Sequence, residues 1–313
     1  MININYLSVA SVWGNVWPIL VAILLFLFMI VIHEFGHFIA AKAMGVRVNE
    51  FAVGFGPTIF KHQGKETLYS FRLVPFGGYC AMEGEDGTSE DSKAFCNKKP
   101  WKRLIIVVAG AFFNLVFGFI LVMCLLAPQE KFTSTTVGAF RENSVSSQHG
   151  LEVGDKILKV DGRTIYTTFD LSYSFSGVDD GKIDMLVRRN NEKKELKDVQ
   201  FNTEVVDGIS LITVDFAVKG IEKTPFSFVS ESFKTVVSYG RVVWLSLIDL
   251  ISGKFGISAV SGPVGVTVAI GDMAKLGIMN LLPMIILITV NLGIFNLLPI
   301  PALDGSRAMF IIV

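Results

Sequence analysis

The chain has 313 residues, and its 28 Lys and Arg offset its 28 Asp and Glu, so charge gives no argument for a nucleic-acid partner and none is expected. Hydrophobic residues make up 51% of the chain, which is high for a water-soluble domain and points to membrane spans. The three cysteines, Cys80, Cys96 and Cys124, are odd in number and lack C-x-x-C spacing, which argues against a disulfide framework or a thiolate zinc site.

From about Val16 to Met44 the residues are nearly all apolar, broken by Pro18 and by a cluster of His33, Glu34 and His37. A helix needs roughly 20 apolar residues to cross a bilayer, so a first span is expected within residues 1–45, stopped by Gly45. No Lys or Arg precedes it and no small-x-small site follows, so it is expected to stay in the protein rather than leave as a signal peptide. Residues 46–103 change character. Val46 to Met82 is rich in Val, Phe, Tyr and Thr and is punctuated by Gly and Pro, which reads as short strands and turns. The block is either a small surface hairpin or a β-loop dipping into the membrane interface. In the second case it must pack on protein or line a wet cavity, because lipid does not tolerate an open sheet edge.

A second span is expected over residues 104–127, stopped by Pro128 and preceded by Lys98, Lys99, Lys102 and Arg103. With Lys42 and Arg47 at the end of the first span, the positive-inside rule places the loop between the spans in the cytoplasm and the N-terminus outside. Residues 128–222 are polar, with strand-like runs such as "DKILKVDG" and "KIDMLVRR", and suit one small extracytoplasmic domain. Residues 223–278 repeat apolar side chains at spacings of three and four. That pattern fits a helix lying on the membrane surface or one packed on the polar domain, and both readings stay open. Residues 279–313 hold a third apolar run with Pro283, Asn291 and Asn296, then "PIPALDG", then the start of a further apolar segment. An even number of spans is expected, so the chain reads as cut before a fourth helix is complete.

His33 and His37 are four positions apart, which on a helix puts both imidazoles on one face, able to share a divalent metal. Glu34 is offset by one residue and suits a general base acting on water at that metal. A carboxylate inside a bilayer costs at least about 2.5–3.5 kcal/mol, so decorative use is improbable. A catalytic zinc takes three protein ligands. Outside the motif the apolar segments offer essentially one more candidate, Asp304, with Asp249 a weaker choice, and His62 and His149 sit in polar turns. Pro299 and Pro301 prevent a regular helix before Asp304. The freed backbone there can present Asp304 and an extended edge to a bound chain.

H-E-F-G-H in a first span with "NLLPIPALDG" in a later one resembles the site-2 protease family of intramembrane zinc metalloproteases, in the bacterial form that cleaves anti-sigma factors and carries a single PDZ domain. The resemblance covers nearly the whole chain. It implies a polytopic α-helical membrane protein with a membrane-associated β-loop and an extracytoplasmic α+β PDZ domain, in a bacterial plasma membrane. It further implies His33, His37 and Asp304 as zinc ligands and Glu34 as base and proton shuttle. Asn296 matches the family's asparagine that holds substrate backbone or the oxyanion, with a helix–helix hydrogen bond as the alternative. Gly110 to Asn114, "GAFFN", matches a G-x-x-x-N element for which packing and substrate guidance stay equally open. "SVSSQHGLEVGDKILKVDGRTI" resembles a PDZ domain, which would either capture a peptide or restrict bulky ectodomains. The implied activity is cleavage of transmembrane segments in single-span proteins, of anti-sigma-factor or signal-peptide type. The chain departs from the family at Ser306, where glycine is common, and at Ala111, where proline is usual. A membrane-anchored PDZ receptor with a structural or vestigial metal site is the competing reading. A zinc transporter is a third, and it would want more intramembrane His and carboxylate than the chain has.

Overall fold

The computed structural model describes residues 9–206, 209–254 and 262–312. Residues 1–8 of the first segment and 255–261 of the amphipathic region lie outside them. The chain divides into two compact units, Met1–Leu121 with Ser261–Val313, and Val122–Val260.

The first unit is built on long apolar helices. Among the described residues, three are long and apolar enough to cross a membrane, at Val16–Ala43, Pro100–Leu126 and Ile278–Asn296. They lie within α1 (Val9–Ala43), α2 (Pro100–Leu126) and α7 (Ile278–Asn296). Shorter helices α6 (Pro263–Lys275) and α8 (Asp304–Ile312) complete the unit. Where apolar residues cover every side of a helix, water-driven burial cannot choose a contact face, so small residues set it by letting backbones approach. A Cβ on Gly36 of α1 would meet Ala109 O of α2 at 2.6 Å, one on Gly271 of α6 would meet Pro18 Cβ of α1 at 2.6 Å, and one on Gly293 of α7 would meet Ala111 O of α2 at 3.1 Å. Ala22 and Met29 of α1, Ile270 of α6 and Leu281 and Ile285 of α7 fill one core of this unit.

Between α1 and α2 runs an antiparallel pair of long strands, β1 (Val48–Gln63) and β2 (Leu68–Met82). Each is folded in two, at the Gly54–Pro57 and Pro75–Gly77 positions, where Gly54, Gly56 and Gly77 take positive φ. Glu50 to Val53 therefore pair with Ala81 to Gly78 on one side and register with Leu68 to Phe71 on the other, while Phe60 to Gln63 pair with Phe71 to Leu68. The result is a four-segment sheet in which residues 78–82 have a strand partner on one side only among the described residues. Its base is buried, with Val48, Cys80 and Met82 packed on Ala41 of α1, Ile106 of α2 and Ala308 of α8. Its far end is apolar and exposed, with Ile59, Phe60 and Leu73 each at least 60% accessible. An exposed apolar rim of that size on a membrane protein suits a lipid or ligand contact better than water.

The second unit has a sheet in the order β10–β3–β4–β6–β7, formed by Phe216–Glu222, Lys131–Phe140, Lys156–Val160, Lys182–Arg189 and Glu192–Gln200, with β5 (Arg163–Thr164) beside β4. A separate small pair joins β8 (Thr203–Val206) and β9 (Ile209–Ile212). Two short helices, α3 (Val145–Gln148) and α4 (Thr168–Ser174), accompany the sheet. Val137, Ile157, Ile183, Met185, Val187 and Phe201 are among its fully buried side chains.

The long helix α5 (Pro225–Ile251) packs on this unit through paired charges. Asp170 of α4 accepts hydrogen bonds from Ser238 Oγ at 2.5 Å and Arg241 Nη1 at 3.2 Å, and Asp249 of α5 accepts from Arg163 at 2.9 and 2.5 Å and from Tyr173 Oη at 2.8 Å. Phe169 stacks on Tyr239 with ring centroids 4.1 Å apart. The polar domain therefore takes one face of α5. The opposite face leaves Phe226, Val229, Phe233, Trp244, Ile248 and Ile251 exposed.

Candidate metal centre

His33 and His37 lie in the last three turns of α1, both buried and facing α2. Gly110 makes this possible, since a Cβ there would overlap His37 Nε2 and come within 2.8 Å of His33 Cε1. Asp304 is the first residue of α8, after the turn through Pro299 and Pro301. Ala302 in that turn has φ 74°, the left-handed region, which helps to bring the chain round.

Three donor atoms converge. His33 Nε2 is 3.2 Å from His37 Nε2, and Asp304 Oδ2 is 2.9 Å from the first and 3.2 Å from the second. Asp304 Oδ2 is buried and accepts no hydrogen bond. His37 Nδ1 lies 2.8 Å from Ile106 O, a carbonyl that can only accept, so Nδ1 holds the proton and Nε2 presents a lone pair. A carboxylate oxygen and an imidazole lone pair at this spacing repel unless a cation sits among them. Ligand atoms around one tetrahedral ion at roughly 2.0–2.2 Å stand about 3.3–3.5 Å apart, slightly more than the separations here. The donor set of two imidazoles and one carboxylate suits zinc, and these are the residues that could hold it. Among the described residues His33, His37 and Asp304 form the one such cluster.

Glu34 stands apart from the cluster and lines a cavity of about 410 Å³ with His37 and Asp304. The 79–82 stretch of β2 forms another wall, and Glu85, Asp86 and Arg307 complete a charged side. Arg307 is ion-paired with Glu85 and lies 3.1 Å from Asp86 Oδ1. Gly78 brings β2 close to the acid, since a Cβ there would sit 3.6 Å from Glu34 Cγ.

The structure thus brings His33, Glu34, His37 and Asp304 to one place. Asn114 joins them from α2, fully buried, with Nδ2 3.3 Å from His33 Nδ1. Asn296 ends α7 and is half-buried, while Pro299 and Pro301 are exposed, and none of the three lines the cavity. Asp249 is engaged elsewhere with Arg163, and His62 and His149 are exposed. The cavity walls from β2 and Arg307 escaped sequence reasoning. The Gly-Gly pair at residues 77–78 was the available signal, because adjacent glycines in a strand mark close backbone approach.

Two imidazoles on the membrane-length helix α1 and a carboxylate at the start of the short helix α8, with a second carboxylate beside them, are the kind of group set that a membrane metallohydrolase uses. The chain belongs to peptidase family M50, whose pattern matches residues 21–313, and as a member it is a zinc metalloprotease. It is similar to proteins named "putative zinc metalloprotease" in several bacteria. One from Clostridium acetobutylicum is 36% identical over 289 residues, covering 92% of this chain and 84% of the relative. One from Fusobacterium nucleatum is 34% identical over 306 residues, covering 94% and 87%. One from Campylobacter jejuni is 31% identical over 316 residues, covering 93% and 82%.

Proposed function

We propose that this protein is an intramembrane endopeptidase that hydrolyses peptide bonds within the transmembrane segments of single-span membrane proteins. The carrying observation is that Asp304, at the start of α8, meets His33 and His37 of α1, a helix apolar enough to cross a bilayer, beside a cavity that Glu34 also lines. His33, His37 and Asp304 would hold the zinc. Zinc supplies a Lewis acid that polarises the scissile carbonyl and acidifies water.

The rest falls to the chain's own side chains and backbone. A transmembrane helix hides its peptide bonds in intrahelical hydrogen bonds and has to unwind locally to be cut. Residues 79–82 of the one-sided strand line the cavity, so an unwound segment can add to it as a further strand. Glu34 takes the proton of the attacking water on its carboxylate and returns it to the leaving amine. Asn296 and the proline-broken turn at Pro299 and Pro301, which lie outside the cavity lining, are assigned to holding the substrate chain, and an amide donor for the developing oxyanion gains most in a dry site. The β-rich unit is read as the PDZ domain, outside the cell with the N-terminus, and the 46–103 loop as cytoplasmic. The basic residues flanking that loop support this orientation.

The test is cleavage of a co-expressed single-span reporter by the wild type and by Glu34→Gln. The variant is expected to retain zinc and to lose about 10²- to 10⁴-fold in rate. Unchanged cleavage with zinc bound would remove Glu34 from the mechanism.

A further inference from the structure

The two imidazoles of the metal centre are backed differently. Ile106, Gly110 and Asn114 recur at intervals of four along α2 and so share one face. Ile106 supplies a carbonyl to His37 Nδ1, and Gly110 supplies the space for both rings. Asn114 supplies an amide to His33 Nδ1 at 3.3 Å.

His33 offers Nε2 to the cluster, 2.9 Å from Asp304 Oδ2. A neutral imidazole with a lone pair on Nε2 carries its proton on Nδ1, and that proton needs an acceptor. The Asn114 amide has one, since its Oδ1 is buried and has no partner. A half-turn of the amide about its last bond exchanges nitrogen and oxygen and places Oδ1 against Nδ1–H. In the present orientation the amide nitrogen can donate to Nδ1 of the opposite tautomer. Unlike the Ile106 carbonyl, then, the amide can match either form of its imidazole.

We propose that Asn114 is the positioning residue for His33, whose Nδ1–H donates to Asn114 Oδ1, fixing the ring and leaving Nε2 free to bind the metal. This rests on the metal-centre reading above. It separates Asn114 from substrate guidance, because it places the amide behind the imidazole, fully buried, and off the cavity lining.

The test measures zinc affinity of the purified full chain by competition with a chromophoric chelator, alongside KM and kcat on the reporter. Asn114→Leu keeps the volume and suits an apolar helix but has no acceptor, and it is expected to bind zinc about 10- to 100-fold more weakly, the usual cost of losing a partner behind a ligand. Asn114→Asp keeps the acceptor and is expected to bind zinc at least as well as Asn114→Leu by tenfold. Wild-type zinc affinity in Asn114→Leu with a raised KM would overturn the proposal in favour of substrate contact. Equal loss in both variants would also overturn it, since the acceptor would then not matter. His33→Ala separates the two levels of argument. If it keeps full zinc, the metal-centre reading itself fails, and if it loses zinc while Asn114→Leu does not, only the role of Asn114 fails.

Discussion

The His37 imidazole sits where a side chain on Gly110 would have to go: a methyl group on the glycine would overlap Nε2 of the ring. The glycine is therefore part of the site although it has no chemistry of its own. Gly110→Ala is expected to lower zinc per chain well below one while leaving helix content intact, because alanine is the better helix former by about 1 kcal/mol. Elemental analysis with circular dichroism reads both. Gly118→Ala, whose Cβ would meet only Val290 Cγ2 at 2.9 Å, is the control and should keep its metal.

Asp304→Asn should weaken zinc binding without unfolding the helices, since the buried Oδ2 makes no hydrogen bond that holds the fold. A strong chelator should stop reporter cleavage by the wild type, and added zinc should restore it. Full zinc stoichiometry in the Asp304 variant would strike it from the ligands.

Asp249→Asn should destabilise the second unit. Removing one partner of a buried ion pair costs about 3–5 kcal/mol, and Arg163 keeps 23% of its side chain accessible, which puts the expected loss at the lower end, about 3 kcal/mol. Denaturant unfolding of the full chain, followed by proteolysis between β4 and α5, measures it. Burial alone would raise the Asp249 carboxyl above the usual range, but the hydrogen bonds from Arg163 and Tyr173 outweigh it and hold it lower. A carboxyl depressed in the folded state adds stability above its unfolded pKa of about 3.9 and loses it as pH falls through the folded value. The second unit should therefore weaken below about pH 4, and Asp249→Asn should flatten that acid limb.

Cys80 should resist alkylation in the native protein at mildly alkaline pH. It is buried against α1 and α2, and burial pushes its thiol well above the ordinary range, so little thiolate exists to react. Mass spectrometry of iodoacetamide-treated protein should find Cys80 unmodified until denaturant is added. Early labelling would mean that the base of β2 does not stay packed on α1.

Much of the site was readable because ionisable groups are costly inside a membrane span. His33, Glu34, His37 and Asp304 stand out from apolar neighbours, and the proline-broken stretch before Asp304 marks where helix must stop. The expected spans at residues 16–44, 104–127 and 279–298 lie close to the membrane-length apolar helices Val16–Ala43, Pro100–Leu126 and Ile278–Asn296, although α1 itself starts seven residues earlier, at Val9. Other contributions leave no such mark. Ile106 acts through a carbonyl, which every residue has. The doubling of β1 and β2 depends on which halves pair, and alternation of residue types does not encode that. The two readings of α5 could not be separated either, because both faces of the helix carry apolar residues. Asp170, Arg241, Arg163 and Asp249 tie one face of α5 to the polar domain, and they are too far apart in sequence to read as pairs.

The donors of the metal centre are far apart in sequence, His33 and His37 from α1 and Asp304 from α8, with the whole second unit inserted between them. An ion held by all three is thus also a clasp, closing a ring of about 270 residues and adding to the packing that already joins the two chain segments of the first unit. Anything that binds only the folded state raises its apparent stability with concentration. The integrity of the first unit should accordingly track free zinc, so that a cell short of the metal would lose the protein itself along with its activity.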